Sequence, residues 1–259
     1  MRIVFMGTPQ FAVYALQALN ESEHEVVGVV TSVDKPAGRG KQLRQSAVKE
    51  YAAAEKLTLL QPENLKDPVF TKELEVLNAD VFIVVAFRML PKTVWSIPPK
   101  GTFNLHASLL PNYRGAAPIN WAIINNETTT GATTFYIDDK IDTGAILLKE
   151  ELVIQPNETV GSLHDKLAPL GANLILKTLD YIATNPTPKP QLLTGDEKEA
   201  PKLTKENTKI DWKHSLKYID GLVRGLNPYP VAWLEIQNGE SILKAKIFKA
   251  TPTFEKHNY

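Results

Sequence analysis

In the stretch FNLHASLLPNYRGAAP, residues 103–118, Asn104 and His106 occupy alternate positions of an apolar run. Alternate positions of a strand share one face, so a carboxamide and an imidazole would project together. A carboxamide donates a hydrogen bond to a developing oxyanion. An imidazole donates or shuttles a proton near neutral pH. Downstream, Asp142 lies in IDDKIDTG, between two strand-like runs, where Thr143-Gly144 permits a tight bend. A carboxylate there could orient the imidazole. For any one of these residues, spacing alone favours a structural histidine beside a turn, with Asp142 capping its own loop.

The other chemistry-bearing residues are weaker candidates. His164 falls within a helical pattern, and His24, His214 and His257 read as surface residues. No pair has zinc-ligand spacing, and the chain has no cysteine, so no metal is expected. The absence of cysteine also removes disulfides and thiol nucleophiles. MGTPQFA could hold an anion at a helix N-terminus but lacks the three glycines of a dinucleotide fingerprint. GRGKQL lacks the spacing of a phosphate loop. TSVDKPAGRGKQLRQS is long for a strand-to-helix connection and carries Lys35, Arg39, Lys41 and Arg44 against one acid. It reads either as a solvated insertion or as a basic finger for phosphates, and mobility of the free loop is expected.

The elements that must position these residues alternate in type. RIVFM, HEVVGVVTS, LTLLQ and DVFIVVA are apolar, partly β-branched runs. TPQFAVYALQAL, QSAVKEYAAAEKL and DPVFTKELEVLNA have helical spacing, the first with Thr8 as N-cap and Pro9 at the first helical position. Continuous apolar strands alternating with helices predict a doubly wound, mostly parallel α/β sheet. GTFNLHAS then reads as a strand and APINWAIINNE as a helix. TTGATTFYI and AILLKEELVI alternate in period two, as antiparallel or edge strands do. A long helix follows in TVGSLHDKLAPLGANLILKTLDYIAT, with a kink or break expected at Pro169. Residues 185–208 hold four prolines and many charges and read as a linker. Beyond it come the helix HSLKYIDGLVRGL and a hairpin turning at Asn238-Gly239.

With 43% apolar and 22% charged residues, the 259-residue chain is an ordinary globular one, and no apolar run approaches the ~20 residues of a membrane span. MRIVFMG is too short in its apolar run for a signal peptide. The zero net charge argues against a wholly basic nucleic-acid binder. It conceals nine Lys/Arg against six Asp/Glu from Lys205 onward, weak support for a polyanionic partner.

NLHASLLPNYRGAAPINWAI, GATTFYIDDKIDTGAIL, MGTPQFAV and DKPAGRGKQL together resemble the folate-dependent formyltransferase family. The DKPAGRG insertion and NPYPVAW resemble its tRNA-acting members. The resemblance implies a Rossmann-like catalytic domain over 1–184, a linker over 185–208 and a C-terminal β-barrel region of the OB type over 209–259. An OB barrel has five strands, so two or three strands in that tail read as a truncated barrel or a naturally reduced one. The implied reaction moves formyl from 10-formyltetrahydrofolate to the α-amino group of methionyl initiator tRNA, in the cytoplasm, without metal or membrane, by a monomer. The resemblance makes Asn104, His106 and Asp142 catalytic. It gives Ser108, Leu109, Leu110, Pro111, Phe87, Arg88, Met89, Leu90 and Asp138 to the folate, Phe11 to the methionyl side chain, and Arg39, Lys41 and Arg44 to the tRNA. The alternative within the family is a sugar-nucleotide N-formyltransferase.

Overall fold

The protein is described by a computed structural model covering residues 1–37 and 42–253. In chain order its elements are β1 (Arg2–Gly7), α1 (Gln10–Asn20), β2 (Glu25–Val30), β3 (Lys35–Ala37), β4 (Gln42–Arg44), α2 (Ala47–Ala54), β5 (Leu59–Leu60), α3 (Pro68–Val76), β6 (Val81–Val85) and α4 (Lys92–Trp95). There follow β7 (Thr102–His106), β8 (Arg114–Gly115), α5 (Pro118–Ile124), β9 (Thr129–Tyr136), β10 (Ile146–Val153), α6 (Val160–Ala183), β11 (Glu199–Ala200), α7 (Leu216–Gly225), β12 (Ala232–Asn238) and β13 (Ser241–Ile247).

Among the described residues one seven-stranded sheet runs in the order β10-β9-β7-β6-β1-β2-β5. The pairs β5–β2, β2–β1, β1–β6 and β6–β7 are parallel, while β7–β9 and β9–β10 are antiparallel. Period-two alternation divides the core between the faces. Ile3 and Phe5 of β1, with Val81, Ile83 and Val85 of β6, pack beneath α1, α2 and α6. Val4, Met6, Phe82 and Val84 face the other way, against Phe70 and Leu74 of α3 and Val94 of α4. Both faces are covered, which is why β1 and β6 read as unbroken apolar runs. Each fully buried Leu or Phe side chain here contributes roughly 1.5–3 kcal/mol.

Two local expectations differ from the fold. Helix α1 begins at Gln10, with Pro9 in the N-cap position and no side-chain cap, so Thr8 is not the cap. Helix α6 runs unbroken for 24 residues through Pro169. Pro169 lies on the exposed side of α6, where water can take the carbonyl its missing N–H leaves free. The helix also starts firmly, on a capping box between Thr159 and Ser162.

In the basic segment, β3 and β4 pair as an antiparallel ribbon, and Arg44 is exposed opposite Lys35. Arg39, Lys41 and the expected mobility of this loop lie outside the described residues. The 185–208 segment lies along the main domain: Lys189 exchanges backbone hydrogen bonds with Ile146, and β11 pairs in parallel with β8. Beyond it, Ile219, Leu222, Val223 and Leu226 join Ile124 of α5 and Leu234 of β12 in a third apolar cluster. Of a barrel, the described residues show the two-stranded antiparallel sheet β12–β13, with Asn238 opposite Ser241 at its turn.

Candidate active site

The parallel strands β1, β6 and β7 end side by side at Gly7, Val85 and His106, and the loops after them meet there. Open α/β sheets bind ligands at this carboxyl edge. A cavity of about 710 Å³ opens at it. Pro9 and Phe11 come from the start of α1, and Phe87, Arg88, Met89 and Leu90 from the loop after β6. Asn104 and His106 come from β7, and Asp138, Lys140, Ile141 and Asp142 from the loop between β9 and β10. This volume suits a drug-sized or cofactor-sized molecule.

Asn104 and His106 share the face of β7 opposite Phe103 and Leu105, which are in the α6-side core. The Asn104 carboxamide makes no hydrogen bond among the described residues, and its Oδ1 is buried without a partner. Buried amides are normally paired, so an unpaired one in a cavity wall points to a ligand group. His106 is 7% exposed. Its Nε2 lies 2.7 Å from the Tyr113 carbonyl, and a carbonyl only accepts, so Nε2 carries a proton. Nδ1 is the remaining ring nitrogen, and it faces Asp142 Oδ2 at 3.7 Å. The carboxylate is held in turn by the Gly115 N–H, 2.9 Å from the same oxygen.

Two glycines make this approach feasible. Gly115 has φ +123°, and a Cβ there would lie 2.5 Å from the Ala200 carbonyl oxygen. At Gly144 a Cβ would lie 1.7 Å from the Tyr136 carbonyl oxygen. Only glycine lets the 138–144 loop fold back on β9 so closely. Asp142 itself takes φ +54°, a left-handed conformation that aspartate tolerates better than most residues. Asp138 braces the loop by accepting from the Thr143 hydroxyl at 2.7 Å and from the Lys140 N–H at 2.9 Å.

Tyr113, which holds His106, is itself fixed. Its hydroxyl donates to Glu127, which also pairs with Lys198, and Asn125 donates to the same hydroxyl. Burial, then the bond to Glu127, push the Tyr113 phenol well above its usual range.

The structure thus brings together Asn104, His106, Asp142, Phe11, Phe87, Arg88, Met89, Leu90 and Asp138 around one cavity. It does not bring Ser108, Leu109 or Leu110 to that wall. Ser108 is fully buried, its hydroxyl donating to the Asn112 carbonyl, while Thr133 bridges the Ser108 carbonyl and the Leu110 N–H. Lys149 donates to the Leu110 carbonyl. Pro111 lines a neighbouring cavity of about 520 Å³ with Arg114 and Lys198. These four residues form a turn just after β7, pinned at Ser108 and Leu110. Arg44 stands on the β3–β4 ribbon and is not among the residues lining this cavity.

Sequence reasoning missed four contributors. His164 lines the cavity edge-on to Phe11, ring centroids 5.3 Å apart. A helical histidine carries no signal of its own, but its place on the buried side of the pattern could have been noted. Tyr113, Gly115 and Gln191 act through backbone or remote contacts that local sequence does not reveal.

A carboxamide with free N–H groups, an imidazole and a carboxylate facing it, at the carboxyl edge of a Rossmann-like sheet, have the chemistry that a group-transfer site needs to support an oxyanion and move a proton. The chain belongs to the formyl transferase family. The family model described as "Formyl transferase" matches residues 1–179, and that described as "Formyl transferase, C-terminal domain" matches residues 202–258. It is 57% identical over 260 residues to the methionyl-tRNA formyltransferase of Flavobacterium johnsoniae, covering 100% of this chain and 82% of that relative. It is 50% identical to the methionyl-tRNA formyltransferase of Bacteroides thetaiotaomicron, over 99% of this chain and 81% of the relative. Among solved structures, a sugar N-formyltransferase from Shewanella sp FDAARGOS_354 superposes with TM-score 0.68 at 16% identity, covering 99% of each chain. Glycinamide ribonucleotide transformylase 1 from Symbiobacterium toebii superposes with TM-score 0.60 at 16% identity, over 74% of this chain and 94% of that one. These two likenesses are of fold.

Proposed function

We propose that this chain transfers the formyl group of 10-formyltetrahydrofolate to the α-amino group of methionine on initiator tRNA. The observation that carries the reading is the unpartnered Asn104 carboxamide beside the His106–Asp142 pair in one cavity wall. Those residues sit in a chain 57% identical, over its full length, to a relative named methionyl-tRNA formyltransferase.

The residues present fit such a donor. Phe87, Met89, Leu90, Phe135, Ile137 and Ile141 give apolar walls for a flat heteroaromatic ring, and the orphaned Asn104 Oδ1 awaits a ligand donor while its N–H groups are free for an acceptor oxygen. When bound, the donor supplies an electrophilic formyl carbon to an attacking amine. Asn104 donates its N–H to the formyl oxygen as charge builds there. His106 moves protons at Nδ1, because its Nε2–H is committed to the Tyr113 carbonyl. It accepts the proton the attacking amine sheds and returns it to the departing folate nitrogen, while the C–N bond to the donor breaks as the new one forms. Asp142 faces the nitrogen that carries that proton, so it supports the charge in transit. Ser108, Leu109, Leu110 and Pro111 are assigned to the folate as the backing of its site, which their pinned turn adjoins. Phe11, with His164 against it, offers the wall for the methionyl side chain. Arg44, with Arg39 and Lys41, offers cations to acceptor-stem phosphates. We assign the reaction to the cytoplasm, where translation begins. No helix among the described residues is long and apolar enough to cross a membrane.

The test is formyl transfer from 10-formyltetrahydrofolate to charged initiator tRNA, comparing the native chain with His106→Ala. The native chain is expected to turn over, and the variant to lose about 10²–10⁴-fold in kcat. Turnover of an amino-sugar nucleotide with none of the tRNA, or an unimpaired His106→Ala, refutes the reading.

A further inference from the structure

Asp142 is reached from behind by the chain that follows α6. Gln191 Nε2 donates to the Asp142 carbonyl and to the Gly144 carbonyl, each at 2.9 Å. Its Oε1 accepts from Arg114 Nε at 3.2 Å and from a terminal nitrogen at 2.5 Å. A guanidinium only donates and a carbonyl only accepts, so the amide has one orientation that satisfies all four contacts. The segment is anchored on both sides of this contact. Lys189 and Ile146 exchange backbone hydrogen bonds at 2.7 and 3.0 Å, and the Tyr113 N–H donates to the Lys198 carbonyl. Gly115, whose N–H holds the Asp142 carboxylate, is paired with Ala200 of the same segment. The loop needs such a hold: Asp142 is left-handed, and the 138–144 loop belongs to neither of the strands β9 and β10 that it joins.

We propose that Gln191 is a positioning residue for catalysis, clamping the Asp142–Gly144 backbone so that the Asp142 carboxylate stays directed at His106 Nδ1. Its catalytic consequence rests on the reaction proposed above; its structural consequence does not. The clamp adds to the Gly115–Asp142 bond a second tie between the same two loops, since Arg114 neighbours Gly115 and belongs to the loop that holds His106.

Two measurements on Gln191→Leu test this, a substitution that keeps the volume and removes both donors and the acceptor. The first is amide hydrogen exchange at Gly115, whose protection reports the bond to Asp142 without any turnover. Protection is expected to fall at least tenfold at Gly115 while the amides of β1 and β6 keep theirs. The second is steady-state kinetics alone and in an Asp142→Asn background. The single variant is expected to lose about tenfold to a hundredfold in kcat, as small misplacements of catalytic groups do, with KM for the donor within twofold of the native value. The double variant is expected to be no slower than Asp142→Asn within twofold, because Gln191 acts through that carboxylate. Unchanged Gly115 protection overturns the proposal, whatever the activity. So does a kcat loss that multiplies with Asp142→Asn, since Gln191 would then serve only general stability. If Gln191→Leu does not fold, Gln191→Asn, which retains the amide but shortens its reach, takes its place with the same expected signs. A native chain inactive on tRNA refutes the proposed reaction, while the exchange measurement still decides whether the clamp holds Asp142.

Discussion

Gly115→Ala addresses the close backbone approach between the loop that holds His106 and the segment after α6, and its cost divides into two parts. The first is conformational: at φ +123° an L-residue is strained by about 1–3 kcal/mol. The second is steric. The new Cβ would lie 2.5 Å from the Ala200 carbonyl oxygen, a backbone atom that no rotamer change can withdraw. Relief to ordinary contact requires the two chains to part by most of an ångström, and overpacking of this kind costs roughly 1–3 kcal/mol. The expected total is about 2–6 kcal/mol. Gly195→Ala supplies the control: its φ is +95°, but nothing lies within 4 Å of the added methyl, so only the conformational part remains. Chemical denaturation of the three proteins measures the difference directly. Turnover is the second readout, because the Gly115 N–H donates to Asp142, and separation of the chains takes it out of line. A loss of about tenfold to a hundredfold in kcat is expected for Gly115→Ala, and none for Gly195→Ala. Equal destabilisation of the two variants, or full turnover by Gly115→Ala, refutes the argument that close approach to Ala200 sets the position of Asp142.

The remaining predictions concern Asn104 and Tyr113. Asn104→Leu is expected to leave stability within about 1 kcal/mol of the native value or raise it, because the buried amide bonds to nothing in the protein. The same variant loses about 10²–10³-fold in kcat as the oxyanion donor is removed; a large stability loss with normal turnover would show instead that Asn104 is structural. Tyr113→Phe is expected to cost about 1–3 kcal/mol at neutral pH, since Glu127 and Asn125 lose a buried partner. The Tyr113 phenol is raised by burial and by Glu127, so the folded chain keeps its proton after the unfolded chain has lost it. Its stabilisation is therefore complete below the ordinary phenol pKa of about 10 and fades as pH rises beyond it, by about 1.4 kcal/mol per pH unit. Denaturation midpoints taken up the alkaline range should show the native and Tyr113→Phe curves converging; a gap that stays constant with pH refutes the assignment.

Much of the architecture was legible because it depends on short-range patterns. The apolar runs at β1 and β6 and the helical spacing of α1, α2 and α3 follow from burial on two faces of a sheet, which constrains every residue along the run. The alternation that placed Asn104 and His106 on one face is likewise local, a consequence of the strand period. Where local rules competed, they were less decisive. Thr8 is a good cap, yet α1 starts after Pro9, and Pro169 is a helix breaker, yet its exposed position lets α6 continue.

The residue types at 104, 106 and 142 are a property of the sequence, and so is the chemistry they offer. What the tertiary structure alone decided is how they face one another. The Tyr113 carbonyl selects the proton-bearing nitrogen of His106, the Gly115 N–H and Gln191 orient Asp142, and Ser108 to Leu110 are turned away from the cavity they adjoin. Each of these contacts joins residues far apart in the chain or uses backbone atoms that every residue possesses. A carbonyl or an N–H leaves no mark on residue identity, and a lone glutamine in a proline-rich, charged segment looks like any solvated linker residue until the fold lays it against the Asp142 loop.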